Sequence, residues 1–242
     1  MTSIQEPRYL LGIDHNQKTI KGQSLGYLTG IMYMAPHRVA GIGNVCPFAS
    51  TGCAAACLNT AGRGVYKKAQ DARILRTQFF YSNRIAFLEK LYKEISALIR
   101  KAERDELTPV VRLNGTSDLP FENLPLRGKS LIEHFPNTQF YDYTKNPHRA
   151  EKFANGEMPD NYHLTFSRSE SNDKHVTKLL GRVNVAVVFG GTMPESWRGV
   201  PVVSGDKNDL RFLDGSGVVV GLKAKGKGKR DKSGFVIYPP SP

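Results

Sequence analysis

The sequence has little of what membrane-spanning, secreted and disulfide-stapled proteins require. Among 242 residues there are three cysteines and one tryptophan, and no run approaches the roughly 18 consecutive apolar residues of a membrane span. Residues 1–14 lack the apolar block of a signal peptide. A Walker loop, a G-x-S-x-G elbow and a zinc-deaminase motif are also missing. These absences exclude several enzyme classes and predict a soluble, cytoplasmic protein with no membrane partner.

The composition is that of a folded chain. Hydrophobic residues make up 40% of the sequence and charged residues 23%, a balance typical of globular rather than disordered proteins. The length lies at the upper end for one domain. We therefore expect a single domain over residues 1–242, with a core over 27–203 and a C-terminal extension over 204–242.

Positive charge is in excess and partly concentrated near the C-terminus. Thirty-four basic residues oppose 22 acidic ones, a formal net charge of +12. In Lys223–Lys232, six of ten residues are basic, and Asp231 is the only acidic one. The interleaved glycines predict a mobile loop that binds nucleic acid or another polyanion by phosphate contacts. A solubilising basic segment accounts for the same pattern equally well.

Short β-rich runs alternate with helical stretches along most of the chain. The runs are Tyr27–Met34, Val110–Leu113, Gln139–Tyr143, Tyr162–Phe166, Val183–Phe189 and Val200–Val203. Helical patterns cover 65–81 and 83–102, and shorter helical or loop stretches cover 131–135, 148–153 and 173–180. This alternation predicts an α/β fold with six parallel strands and helices outside. The pair Gly217–Leu222 and Phe235–Tyr238 predicts a C-terminal extension that forms a β-hairpin or adds edge strands to the sheet.

Polar side chains follow the strands at the points where they end. Asn114 and Asp118 follow the second strand, Lys145 the third, and Ser167 and Arg168 the fourth. The carboxyl ends of parallel strands meet at one edge, where α/β proteins build their sites. Although turns are commonly polar, successive loops of this kind favour a ligand site. Arg112, at the polar end of the second strand, fits an ion-pair partner as well as a ligand contact.

The three cysteines lie within twelve residues, in the segment GIGNVCPFASTGCAAACLNTAGRG. An odd number of clustered thiols makes a poor disulfide framework and points to metal. The small flanking residues let backbone amides approach an inorganic core. Cys46, Cys53 and Cys57 are therefore predicted to hold a [4Fe–4S] cluster whose fourth iron stays open. Two alternatives remain: zinc with a distant fourth ligand such as His37 or His163, and buried thiols without metal.

A three-cysteine loop directly after the first strand, followed by a helix and further strand–helix units, resembles the radical S-adenosylmethionine superfamily. The resemblance covers about Tyr27 to Val203. It implies a partial (βα)6 TIM-like barrel and S-adenosylmethionine bound at the open iron. The superfamily's Gly-Gly-Glu segment is missing here. Asn114 or Asp118 stands in its place as an acceptor for the ammonium group of that cofactor.

A second resemblance covers most of the chain. The stretch from Gly41 to Arg76, together with VRLNGTSDLPFE and GDKNDLRFLDGSGVVVGLKAKG, resembles an uncharacterised family encoded by phages and plasmids. It implies a phage protein and brings no established reaction.

Two functions follow from these patterns. The first is an iron–sulfur enzyme on a radical-SAM-like barrel that acts on nucleic acid or a phosphorylated metabolite by redox or radical chemistry. In it, Asn114, Asp118, Lys145, Ser167 and Arg168 surround the open iron. The second is a non-catalytic iron–sulfur or zinc protein that binds nucleic acid or serves in assembly through its basic segment.

Overall fold

The computed structural model describes residues 5–13 and 17–239 of the chain. The strands are β1 (Leu11–Ile13), β2 (Tyr27–Met32), β3 (Thr108–Arg112), β4 (Pro125–Leu126), β5 (Lys129–Ser130), β6 (Gln139–Thr144), β7 (Tyr162–Ser167), β8 (Val185–Phe189), β9 (Ser196–Trp197), β10 (Val200–Ser204) and β11 (Val219–Lys223). The α-helices are α1 (Gln17–Gln23), α2 (Thr51–Ala55), α3 (Lys67–Ser82), α4 (Arg84–Arg104), α5 (Pro147–Ala154) and α6 (Asp173–Leu179). Short 3-10 helices cover Leu58–Thr60, Gly62–Val65, Phe121–Asn123, Arg211–Leu213 and Gly226–Arg230.

One large sheet organises the structure. Its nine strands lie in the order β1-β2-β3-β6-β7-β8-β11-β10-β9. The seven strands from β2 to β10 in this order are parallel, and the edge strands β1 and β9 pair antiparallel to their neighbours. The predicted α/β class with a mostly parallel sheet is therefore confirmed. The sheet is open, so the structure does not show a barrel.

The predicted C-terminal hairpin is wrong. The segment predicted as its first strand forms β11, which lies between β8 and β10 and is parallel to both. Val219 and Val220 are both fully buried, on opposite faces, as is typical of a central parallel strand. Phe235–Tyr238 contributes only one bridge, between Ile237 and Phe189. The apolar residues of this segment are more completely buried between β8 and β10 than they would be in a hairpin.

Helix α4 shows why the predicted helices form where they do. The side chain of Asn83 accepts a hydrogen bond from Ala86 N at 3.1 Å and so caps the first turn. Residues spaced three or four apart then face the sheet: Phe87, Leu88, Leu91, Ile95, Leu98 and Ala102 are buried. Among the described helices, none is long and apolar enough to span a membrane.

Both faces of the sheet are covered. Val111 of β3 and Phe140 of β6 belong to the core beside α4, whereas their neighbours Val110 and Tyr141 pack with Leu210 on the opposite face. Successive residues of a strand point to opposite faces. Burial on both sides leaves the strand ends as the places where polar groups can meet solvent or a ligand.

The basic segment is not a connection within a hairpin. Its first residue ends β11, and Gly226–Arg230 form a 3-10 helix. Asp206 holds it near the sheet by accepting hydrogen bonds from Lys223 N at 2.9 Å and Lys225 Nζ at 2.7 Å. A Cβ on Gly228 would lie 3.4 Å from the Cβ of Ala56. The segment therefore packs on the cysteine loop.

The central position of β11 can be tested at Gly221. A Cβ there would lie 2.6 Å from Met193 Sδ and 2.8 Å from Val202 Cγ1, so Gly221→Ala should lower the free energy of unfolding by about 1–3 kcal/mol through overpacking. The measurement is chemical denaturation. Gly215→Ala is the control, because its Cβ would meet only Val218 Cγ1 at 3.7 Å. Equal stability of the two variants would contradict a central β11.

Candidate functional site

A cavity of about 230 Å³ lies at the carboxyl edge of the parallel strands. Its walls come from the cysteine loop, the loops that leave β3, β6 and β7, and the segment after β11. The residues that line it include Cys46, Cys53, Cys57, Arg112, Asn114, Asp118, Tyr143, Lys145, Ser167, Asp206, Asp209, Lys223, Lys225 and Phe235. The ends of the parallel strands thus meet at one cavity, as predicted, and the cysteine loop lines the same cavity.

All three cysteines line this cavity, and no two of them form a disulfide. Cys53 lies in α2, where Ser50 Oγ accepts a hydrogen bond from Cys53 N at 3.1 Å. Cys57 immediately precedes the 3-10 helix Leu58–Thr60. The twelve residues from Cys46 to Cys57 are therefore folded so that all three cysteines line the same cavity.

The start of the cysteine loop is attached to the exit of β3. Asp118 N donates to Val45 O at 2.7 Å, and the thiol of Cys46 donates to Thr116 O at 3.5 Å. Gly115 permits the approach, because a Cβ there would lie 2.6 Å from Met32 O. The backbone of the segment NGTSD after β3 therefore packs directly against the chain that leaves β2.

The carboxylate of Glu170 attaches the middle of the loop to the exit of β7. It accepts hydrogen bonds from Ser50 Oγ and from Gly52 N, both at 2.7 Å. A Cβ on Gly52 would lie 2.1 Å from Ser233 Oγ, so the C-terminal segment also presses on this turn. The sequence analysis does not identify Glu170, because no local pattern indicates a contact with residues about 120 positions earlier in the chain.

Burial keeps two of the thiols protonated. It raises the pKa of Cys46 to about 12, although the backbone N–H of His37 acts in the opposite direction. Burial also raises the pKa of Cys57, against the opposing effects of the Asn59 N–H and the charge of Lys145. Neutral thiols are poor nucleophiles. A metal that bound them would have to displace their protons.

Asn114 and Asp118 line the cavity, but their polar atoms bind the protein. Asn114 Nδ2 donates to Leu119 O and Asp142 Oδ2, and its Oδ1 accepts from Ser117 Oγ and Leu119 N. Asp118 accepts hydrogen bonds from Thr144 Oγ1, Lys145 N and Arg149 Nη1 at 2.6–2.8 Å. Both residues therefore shape the edge of the site from inside the protein.

Of the other predicted site residues, Lys145 and Ser167 lie together at the cavity, whereas Arg168 lies outside its lining. Lys145 Nζ donates to Ser167 Oγ at 2.9 Å and lies 5.6 Å from the ring centroid of Phe235, at the cavity wall. Arg168 does not line the cavity. Its Nη1 donates to the carbonyls of Gly234 and Phe235, so it holds the C-terminal segment in place.

Arg112 forms a buried ion pair at the cavity. Its Nη1 donates to both carboxylate oxygens of Asp209, at 3.1 and 2.8 Å, and its guanidinium lies 4.7 Å from the ring centroid of Tyr143. Burial alone lowers the pKa of Arg112, but the nearby Asp209 and tyrosines together outweigh it and the pKa is raised. The cation is therefore permanent.

Neither histidine considered as a zinc ligand lines the cavity. His163 lies in β7, and burial lowers its pKa to about 4. More generally, the described residues contain no group of three His, Cys, Asp or Glu side chains arranged to hold a metal ion. The two histidines expected as a fourth zinc ligand are therefore not part of the cavity lining.

Comparison with known proteins identifies the family. The family model described as Gene product 88 matches residues 10–239, and the chain belongs to that family. This agrees with the expected phage-type family. No curated protein and no solved structure matches the chain. The family description names neither a reaction nor a cofactor, so the function has to be argued from the site.

Asp142 lies beneath the cavity wall and provides a test of the buried polar groups. It accepts hydrogen bonds from Asn114 N at 2.7 Å and from Tyr162 OH at 2.9 Å, yet burial raises its pKa from 3.8 to about 6. Between these two values the folded state binds a proton that the unfolded chain has lost. The free energy of unfolding should therefore fall by up to about 3 kcal/mol as the pH rises from about 4 to about 6.5.

Asp142→Asn isolates this contribution, because all other titrating groups stay the same. The measurement is urea denaturation of both proteins across that pH range. We expect the stability of the wild type relative to the variant to decrease as the pH rises. A difference that stays constant would show that Asp142 does not titrate in this window.

Proposed function

We propose that this protein binds a [4Fe–4S] cluster through Cys46, Cys53 and Cys57. The observation that carries the proposal is the shared cavity: all three cysteines line it, together with residues from the exits of the parallel strands. A cluster held by three thiolates leaves one iron without a protein thiolate. That iron would be open to a substrate, and the cluster would supply redox or radical chemistry.

The residues around the thiols suit that group. The backbone N–H of His37 interacts with the sulfur of Cys46, and that of Asn59 with the sulfur of Cys57. Backbone donors to sulfur tune the potential of iron–sulfur clusters. The charge of Lys145 acts on Cys57 and would stabilise its thiolate. Ala49, Ala56 and Gly228 line the same wall and leave room beside the sulfurs.

The spread of the cysteines favours a cluster over zinc. Zinc needs four donors at 2.0–2.3 Å from one point (roughly, for N and S ligands). No three candidate ligands among the described residues are arranged in that way. A cubane has a different requirement, because each thiolate binds a different iron and the sulfurs need not converge. Three cysteines that line one cavity without converging on one point fit a cubane better than a zinc ion.

The likeness to radical-SAM proteins remains part of the proposal for the architecture. It is supported by the adjacency of β2, β3, β6, β7 and β8 in chain order and by the position of the cavity at their carboxyl edge. S-adenosylmethionine itself fits less well. Asn114 and Asp118 were its expected ammonium acceptors, and both already bind neighbouring groups of the protein. We therefore derive no step through that cofactor.

Metal and sulfide analysis of anaerobically purified protein tests the cluster. We expect about four iron and four sulfide ions per chain. The protein should also absorb broadly at about 400 nm, as thiolate-ligated iron clusters do. Cys53→Ser should abolish both. Ala55→Ser is the matched control, because it places a hydroxyl at an exposed position of the same helix. Stoichiometric zinc without acid-labile sulfide, or full iron content in the cysteine variant, would overturn the proposal.

A second candidate is a non-catalytic iron–sulfur protein that binds nucleic acid. One observation favours it: Lys227, Lys229 and Arg230 are exposed on the 3-10 helix that packs on the cysteine loop. Their positive charges are close enough in sequence to contact successive phosphates. In this candidate the cluster would report on redox state rather than react.

Replacing Lys227, Lys229, Arg230 and Lys232 with Gln tests this second candidate. If the segment contacts phosphates, affinity for a DNA duplex should fall, and the slope of log K against log salt should flatten by about 0.9 for each phosphate that the variant no longer binds. The measurement is a fluorescence-anisotropy titration at several salt concentrations. An unchanged slope would exclude the segment as a nucleic-acid contact.

A further inference from the structure

The guanidinium of Arg112 uses only part of its capacity to donate hydrogen bonds. Both hydrogen bonds from its side chain leave Nη1 and end on Asp209. Its Nε is buried and meets no acceptor within the described part of the chain. Arginine carries N–H donors on all three nitrogens. The edge formed by Nε and Nη2 is therefore left for another acceptor.

The surroundings hold this edge in one orientation. Arg112 is 9% exposed and lines the cavity. Asp209 binds one side of the guanidinium, and the ring of Tyr143 lies against it at 4.7 Å. A buried donor without an acceptor is costly, whereas a bound ligand removes that cost. A rigid, unsatisfied fork is the arrangement that recognises a planar or tetrahedral oxyanion.

We propose that the Nε–Nη2 edge of Arg112 binds an oxyanion, a carboxylate or a phosphate, of a small molecule that occupies the cavity. The side chains of Val188 and Leu222, which also line the cavity, would give the body of that molecule an apolar contact. A volume of about 230 Å³ lies just below the usual range for ligand sites, roughly 300–1,000 Å³. The ligand is therefore compact.

This subsite rests on the proposed function in one respect only, because both use the same cavity. The cysteines would then hold the reacting group at one wall, and Arg112 would position the anionic end of the substrate. Anion binding needs no cluster. It can therefore be measured on the full chain whatever its metal content, and the two proposals can fail separately.

Calorimetric titration with inorganic phosphate and, separately, with acetate tests the subsite. The solution contains about 150 mM sodium chloride, so that diffuse attraction to the basic surface is screened. We expect at least one anion to bind saturably at one site per chain. Arg112→Lys should weaken that binding by about tenfold or more, because lysine keeps the charge beside Asp209 but loses the fork.

Arg104→Lys is the matched control. It makes the same change at an exposed site at the end of α4, near the opposite edge of the sheet, and should leave affinity unchanged. Binding of phosphate alone indicates a phosphorylated ligand, and binding of acetate alone a carboxylate ligand; either supports the subsite. Saturable binding of neither anion, or equal binding by wild type and Arg112→Lys, would overturn it.

A measurement on the wild type covers the case in which Arg112→Lys fails to fold. Crystals of the full chain grown with tungstate, a heavy analogue of phosphate, locate the anion directly. Tungstate density beside Nε and Nη2 of Arg112 supports the subsite. Density elsewhere only, or none at all, refutes it. Iron and sulfide content measured on the same preparation shows independently whether the cluster proposal holds.

Discussion

The buried carboxylate of Asp118 is the interaction on which the site depends. It accepts hydrogen bonds from Thr144 and Lys145 at the end of β6 and from Arg149 in α5, while its own N–H binds Val45 in the cysteine loop. One residue thus connects two strand exits, a helix and the loop. Removing its ion-pair partner Arg149 would leave this buried charge uncompensated. The arrangement is therefore rigid.

The cysteine loop owes its shape to the rest of the fold rather than to its own sequence. Its only α-helix, α2, has five residues, too few to be stable alone. Glu170 binds the turn at Ser50 and Gly52, and the C-terminal segment closes over Gly52 and Ala56. Groups from three distant parts of the chain therefore set where the thiols point. Such preorganisation is what an inorganic cofactor or a buried substrate requires.

The cavity lining combines thiols with charged side chains. The three cysteines and small residues line it together with Lys145, Arg112 and the beginning of the basic segment. Acidic side chains at the site, Asp209 and Asp206, are bound to Arg112 and Lys225.

Local pattern predicted much of this molecule. The α/β class, helices α3 to α6, and strands β2, β3, β6, β7, β8 and β10 follow from hydrophobic periodicity and capping, which depend on neighbours in the sequence. The carboxyl-edge site was predicted as well, since parallel strands bring their ends together whatever lies between them. Seven of the eight predicted site residues line the cavity.

Long-range packing decided the rest. The apolar run of β11 suits a hairpin and a central strand equally well, and only the gap between β8 and β10 selects the second. In the same way, an arginine at the end of a strand can bind a ligand or stabilise the fold. Arg168 donates to the carbonyls of a segment more than sixty residues away and holds that segment in place, whereas Arg112 pairs with one carboxylate and lines the cavity. Which partner a buried charge finds depends on chain segments that the sequence around it does not contain, so tertiary structure alone determines its role.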